Sequence, residues 1–196
     1  MLSSTYTNKL EIAIFFDYVQ SAIQINNPLL IYLHGAGEKG TTTKRMQSFP
    51  IWEAFGKYLP QWNILAPICP AGLSGWPILQ LHDFIQKKRS EVSASKLILM
   101  GASMGGRGVY EYAYDYAAEV DKIVALDAVG IPQLAERIKK LPTLIGHGQH
   151  DELVNIDQAM AMKEALPMSN LHTFNSGHGC LSHLLKSPDF WVWLKE

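Results

Sequence analysis

Leu97-Ile98-Leu99-Met100-Gly101-Ala102-Ser103-Met104-Gly105-Gly106 is the stretch on which the reading of this chain turns. Four consecutive apolar residues suit a strand that is covered on both faces. Beyond the glycines, Val109, Tyr112, Ala113, Tyr116 and Ala117 recur at the spacing of one helical face. Gly-x-Ser-x-Gly therefore stands between a strand and a helix, the setting of a nucleophile elbow. In such an elbow the turn is so tight that side chains beside the serine would meet neighbouring backbone. It lifts Ser103 Oγ above the sheet at the positive end of a helix. A glycine-rich turn with an incidental serine is the competing reading.

Outward from this stretch, short apolar runs alternate with helical periodicity. Strands are expected at Leu10–Phe16, Leu29–Leu33, Asn63–Ala66, Leu97–Met100, Ile123–Leu126, around Leu144–Ile145 and around His172–Phe174. Helical patterns fall at Trp52–Leu59, Pro77–Lys88, Gln133–Lys140, Ile156–Leu166 and Leu181–Leu185. The alternation predicts an α/β fold: a mostly parallel central sheet of about seven strands with helices on both faces. Nothing marks an internal boundary, so residues 1–196 are expected to form one domain. Phe190, Trp191, Trp193 and Leu194 read as a terminal segment docked on the core.

In such sheets chemistry lies at the carboxyl ends of the strands. The run ending at Leu33 opens into His34-Gly35-Ala36-Gly37-Glu38-Lys39-Gly40. The spacing Gly35 to Gly40 matches a phosphate loop, but Thr41 and Thr42 follow with no lysine between. A turn presenting one N–H near Ala36, with a second from Met104, fits an oxyanion hole. His34 reads as a turn residue held by hydrogen bonds. Beyond the run at Thr143 comes Gly146-His147-Gly148-Gln149-His150-Asp151, and beyond the last strand Ser176-Gly177-His178-Gly179-Cys180. The chain order Ser103, Asp151, His178 is that of nucleophile, acid and base in one class of serine hydrolase. Asp127 also follows a strand and is the alternative orienting acid. His147, His150, Asp151 and Cys180 lie in loops rather than on one helix face, so no metal is expected. Cys180 reads as a small apolar residue behind His178. Trp76, in the Gly72–Pro77 loop, is a candidate wall of a substrate pocket.

Composition narrows the classes further. Of 196 residues 47% are hydrophobic and 18% charged, and the net charge is −1, which excludes a disordered chain and a nucleic-acid footprint. Two cysteines cannot build a disulfide scaffold. No stretch is apolar for long enough to span a membrane, and the N-terminus lacks the pattern of a signal peptide. A soluble, cytoplasmic protein without membrane contact is the expectation; oligomeric state is not legible.

The segments Tyr32–Gly40, Pro67-Ile68-Cys69-Pro70 with Trp76, Gly101–Gly106, His147–Asp151 with Val154, Gly177-His178 and Trp193-Leu194 together resemble a known group. The chain is similar to the small α/β-hydrolase esterases of the phospholipase/carboxylesterase and dienelactone-hydrolase-like groups, and within them to the compact predicted-peptidase or polyhydroxybutyrate-depolymerase-like branch. The resemblance implies an α/β-hydrolase fold; between Asp127 and Thr143 there is room for one helix only, so no cap domain is expected there. The resemblance also implies Ser103 as nucleophile, His178 as base, Asp151 as orienter and the Ala36 and Met104 amides as oxyanion hole. The implied activity is cleavage of small soluble esters, with no cofactor and no metal. Thioesterase and peptidase activities share the same triad, and a non-catalytic binding protein could share the fold. Two departures stand out: the part before residue 29 is short for the usual opening hairpin, and Cys180-Leu181 stand where an aromatic is common.

Overall fold

The computed structural model describes residues 16–196. Seven strands form one sheet: β1 (Tyr18–Gln20), β2 (Leu29–Leu33), β3 (Asn63–Pro67), β4 (Leu97–Ala102), β5 (Lys122–Leu126), β6 (Thr143–Gly148) and β7 (Asn170–Phe174). Their order is β1-β3-β2-β4-β5-β6-β7. β1 pairs antiparallel with β3, and every other pair is parallel. The helices are α1 (Thr43–Gln47), α2 (Ile51–Tyr58), α3 (Ile78–Val92), α4 (Met104–Tyr116), α5 (Ala135–Ile138), α6 (Asp157–Ala165), α7 (Leu181–Leu184) and α8 (Pro188–Lys195). This is the α/β-hydrolase architecture.

Why the central strands are continuously apolar is plain from the core. Along β2, Leu29, Ile31 and Leu33 pack on one side of the sheet, and Leu30 and Tyr32 on the other. β4 divides likewise, with Leu97 and Leu99 against Ile98 and Met100. The period of two sends each residue to a covered face. On the first face lie α3, through Leu81 and Ile85, and α4, through Val109, Tyr112 and Ala113. On the second lie α2, through Ile51 and Phe55, and α8, through Phe190, Trp191 and Leu194. Each such Val, Leu, Ile or Phe side chain contributes about 1.5–3 kcal/mol on leaving water. Trp191 also stacks on Tyr58 at 4.6 Å, and its indole N–H donates to Leu185 O at 2.9 Å.

The terminal segment expected to dock on the core is therefore a helix. Ser187 Oγ accepts from Phe190 N–H at its start and Pro188 occupies its first turn, a favourable start for a helix. The sequence pattern does not announce β1, nor α1 with its Thr42 cap. The strand expected at Leu10–Phe16 lies outside the described residues except for Phe16. The helix expected at Gln133–Lys140 is shorter, a 3-10 turn at Pro132–Leu134 followed by α5. With only these short elements between β5 and β6, no cap domain stands there. Among the described residues no helix is long and apolar enough to cross a membrane.

Candidate active site

The elbow joins β4 to α4. Ser103 has φ 55° and ψ −118°, left-handed territory that costs a non-glycine residue of order 1–3 kcal/mol. The neighbouring glycines are forced by contact. A Cβ on Gly101 would run into the carbonyl of Gly105, and a Cβ on Gly105 into the carbonyl of Leu33. The Ser103 N–H donates to Leu126 O at 2.7 Å, tying the elbow to the end of β5.

The loop after β2 lies against the serine: a Cβ on Gly35 would sit 3.5 Å from Ser103 Cβ. Ala36 opens the 3-10 helix Ala36–Glu38, and Met104 opens α4. As first helical residues, both carry N–H groups with no intrahelical acceptor. His34 fixes this loop. It is buried, Nδ1 contacts Gly35 O at 2.7 Å, and Nε2 accepts the Cys69 N–H at 2.9 Å. Both ring nitrogens are thereby engaged, with the proton on Nδ1, and burial lowers its pKa. It is a turn residue, as its sequence context suggests.

On the other side, His178 Nδ1 lies 2.7 Å from Asp151 Oδ2. The Asp151 side chain is fully buried while that of His178 is 24% exposed, so the ring is reachable and its partner is not. Asp151 Oδ1 accepts the N–H groups of Leu153 and Val154, both at 2.9 Å. Burial pushes the Asp151 carboxyl up, but the Val154 N–H, His178 and the Leu153 N–H outweigh it and hold the pKa below the usual carboxylate value. With Nδ1–H given to Asp151, Nε2 of His178 is left as the acceptor. No hydrogen bond joins it to Ser103 Oγ among the described residues.

Asp127, the alternative acid, makes no hydrogen bond to the His178 ring. Its Oδ1 accepts Gly148 N–H at 2.9 Å, and Oδ2 accepts Gly179 and Cys180 N–H at 3.0 and 2.7 Å. Asp127, His147 and Asp151 do place potential metal-ligating atoms within 4.8 Å of one another. These side chains are also engaged within the protein: both carboxylates receive N–H donors, and His147 Nε2 donates to Val154 O at 2.8 Å. Among the described residues, His147 Nδ1 and Ser176 Oγ are buried side-chain atoms without a hydrogen-bond partner.

Trp76 is 5% exposed; its indole N–H reaches His34 O at 3.3 Å, and its ring packs on Phe16 at 6.3 Å. It also lines a cavity of about 410 Å³ together with Leu73, Met104, Arg107 and Glu111. A larger cavity, about 580 Å³, lies between α2 and α7 and is mostly apolar, with Phe49, Ile51, Leu181 and Leu185 among its walls. Cys180 is buried, and burial raises its thiol pKa far beyond the ordinary value, which suits an inert apolar filler. The part played by the main chain, namely Leu126 O and the amides of Gly148, Gly179 and Cys180, carries no sequence signal.

Among solved structures, a thermostable esterase superposes with a TM-score of 0.79 at 20% identity, over 91% of this chain and 58% of that one, so the chain spans well under two thirds of its length. Esterase PE8 has a TM-score of 0.72 at 17% identity, over 93% of this chain and 99% of its own. Est1E from Butyrivibrio proteoclasticus has 0.71 at 13% identity, over 92% and 93%. At these identities the likeness is one of fold. No curated protein matches the chain. Residues 79–182, however, match the family model described as the dienelactone hydrolase family, from α3 through the elbow, Asp127 and Asp151 to the loop of His178. That stretch is more than half of the sequence, and the chain belongs to the dienelactone hydrolase family.

Proposed function

We propose that this chain is a serine hydrolase that cleaves small soluble carboxylic esters through an acyl-enzyme, with Ser103, His178 and Asp151 as its triad. One observation carries the reading. A serine at φ 55° stands on a strand-to-helix elbow, while an exposed histidine at the same end of the sheet gives its Nδ1–H to a buried carboxylate 2.7 Å away. Asp151 fixes the tautomer, so Nε2 of His178 can take the proton of Ser103 Oγ as that oxygen attacks the ester carbonyl. The tetrahedral oxyanion then accepts the N–H groups of Ala36 and Met104. Collapse expels the alcohol, which takes the proton back from His178. Water, activated by the same imidazole, then releases the acid and frees Ser103.

These steps use only side chains and amides of the chain, with no cofactor. The absence of a cap between β5 and β6 supports an open cleft and a short acyl group. Trp76 is assigned to the substrate side because it lines the cavity beside Met104. The whole chain is read as one domain, acting on its ester without nucleic acid or membrane. The two free cysteines fit a cytoplasmic setting. The test is labelling with a fluorophosphonate, followed by a panel of p-nitrophenyl esters, a thioester and a peptide. Labelling confined to Ser103, with the esters turned over fastest, is expected; labelling that persists in Ser103→Ala would sink the assignment.

A further inference from the structure

The end of β5 touches the segments that carry all three triad residues. Leu126 O accepts the Ser103 N–H at 2.7 Å. The next residue, Asp127, donates its own N–H to Gly146 O at 2.8 Å and accepts the Gly148 N–H on Oδ1, both within the segment leading to Asp151. Its Oδ2 accepts the two amides that follow His178, those of Gly179 and Cys180. Bringing two successive N–H groups to one oxygen requires the backbone to curl, and Gly179 does so at φ +114°. Asp127 itself has φ 45° and is 1% exposed.

We propose that Asp127 is a positioning residue: its carboxylate sets, through main-chain amides alone, where Asp151 and His178 stand relative to Ser103. This rests on the triad reading above. The chemistry requires a carboxylate. All three groups that Asp127 receives are donors, and an amide would turn its own NH2 toward at least one of them. The loop of His178 is the part that most needs such a hold. His178, Gly177 and Gly179 are exposed, and the ring has no tether of its own beyond Asp151 among the described residues. A loop displaced by an ångström would leave Nε2 out of reach of Ser103 Oγ, a misplacement that costs on the order of 10²-fold in rate.

The test uses the full chain with Asp127→Asn, and with Asp127→Ser as a second variant that keeps a shorter acceptor. Active sites are counted by fluorophosphonate titration, so that loss of folded protein does not pass for loss of rate. Turnover of p-nitrophenyl acetate per titrated site is expected to fall on the order of 10²-fold, with KM changed by less than about twofold. In a His178→Ala background the same substitution should lower the residual rate by less than about twofold, because the residue acts through His178. A third readout does not depend on turnover. In Asp127→Asn the Gly179 and Cys180 amides should exchange with solvent faster, and the downfield Nδ1 proton of His178 should broaden. Unchanged turnover per site, equal losses in both backgrounds, an unaltered His178 proton, or failure of both variants to fold would each overturn the proposal. A parent chain that neither labels at Ser103 nor cleaves esters would instead sink the hydrolase reading, and the exchange and proton measurements would still decide the role of Asp127.

Discussion

Asp127 and Asp151 stand beyond the ends of neighbouring strands, both buried, with potential ligand atoms within 4.8 Å of each other. By position alone either could orient the histidine. They differ in what their oxygens hold. Asp151 takes two amides on Oδ1 and leaves Oδ2 for the His178 ring. Asp127 gives both oxygens to the main chain. The difference teaches that an acid becomes an orienter when the local turn saturates only one of its oxygens. The Asp151 turn, closed by Leu153 and Val154, does that; the amides after His178 occupy the second oxygen of Asp127.

The largest expected effect sets the floor for comparing the two acids. Ser103→Ala should lower kcat by about 10⁶-fold while circular dichroism shows an intact fold, since the side chain lost is small and only half-buried. Turnover near the parent level would break the comparison at its root. Next, Asp151→Asn should cost on the order of 10⁴ in kcat, because the amide cannot hold the His178 tautomer. Asp127→Asn should cost far less, about 10². Steady-state kinetics that reverse this order would move the orienting role to the end of β5.

Chain-length selectivity is smaller still. Each methylene that fits the pocket should raise kcat/KM by a factor of several, and the gain should stop near four acyl carbons, since no cap adds a tunnel beyond the Trp76 cavity. A rise continuing to octanoate would show that a longer groove, rather than the Trp76 side, receives the acyl chain. Trp76→Ala should shift the optimum toward longer chains, at a stability cost of about 3–5 kcal/mol, because the ring is also core.

The smallest effect is one of stability. The Asp151 pKa is held below its usual value near 3.8, so its contribution is full above that pH and is lost as pH falls through the lower folded-state value. The unfolding midpoint of the parent should therefore fall more steeply below about pH 4 than that of Asp151→Asn. Parallel curves would mean that Asp151 is no better held than a solvated acid.

Much of this architecture is legible in the amino-acid sequence. Runs such as Leu29–Leu33 are apolar at every position because both faces of the sheet are covered, and one such run, opening β4, leads directly to Ser103, whereas the mixed strand β6 and the half-exposed β7 lead to Asp151 and His178. What stays hidden has a common cause. β1 is three residues long and exists through pairing with β3, so it has too little periodicity of its own to read. Helix α1 is five residues, scarcely more than one turn. The work of Asp127 depends on amides 21, 52 and 53 residues away, and an amide looks the same in every residue type. Sequence reading finds side chains of the right chemistry; it does not show which main-chain donors will reach them.

The register of β2 with β4 pairs Leu29 with Leu97, and β5 must then add to β4, and β6 to β5, before the last loops can close. Such pairings between distant segments form slowly, because the intervening chain must be confined first. The proposed nucleophile, acid and base, Ser103, Asp151 and His178, therefore meet only when the whole sheet is in place. During refolding, secondary structure should return first and reaction with a phosphonate last. Chemical competence in this protein is a clock for the end of folding.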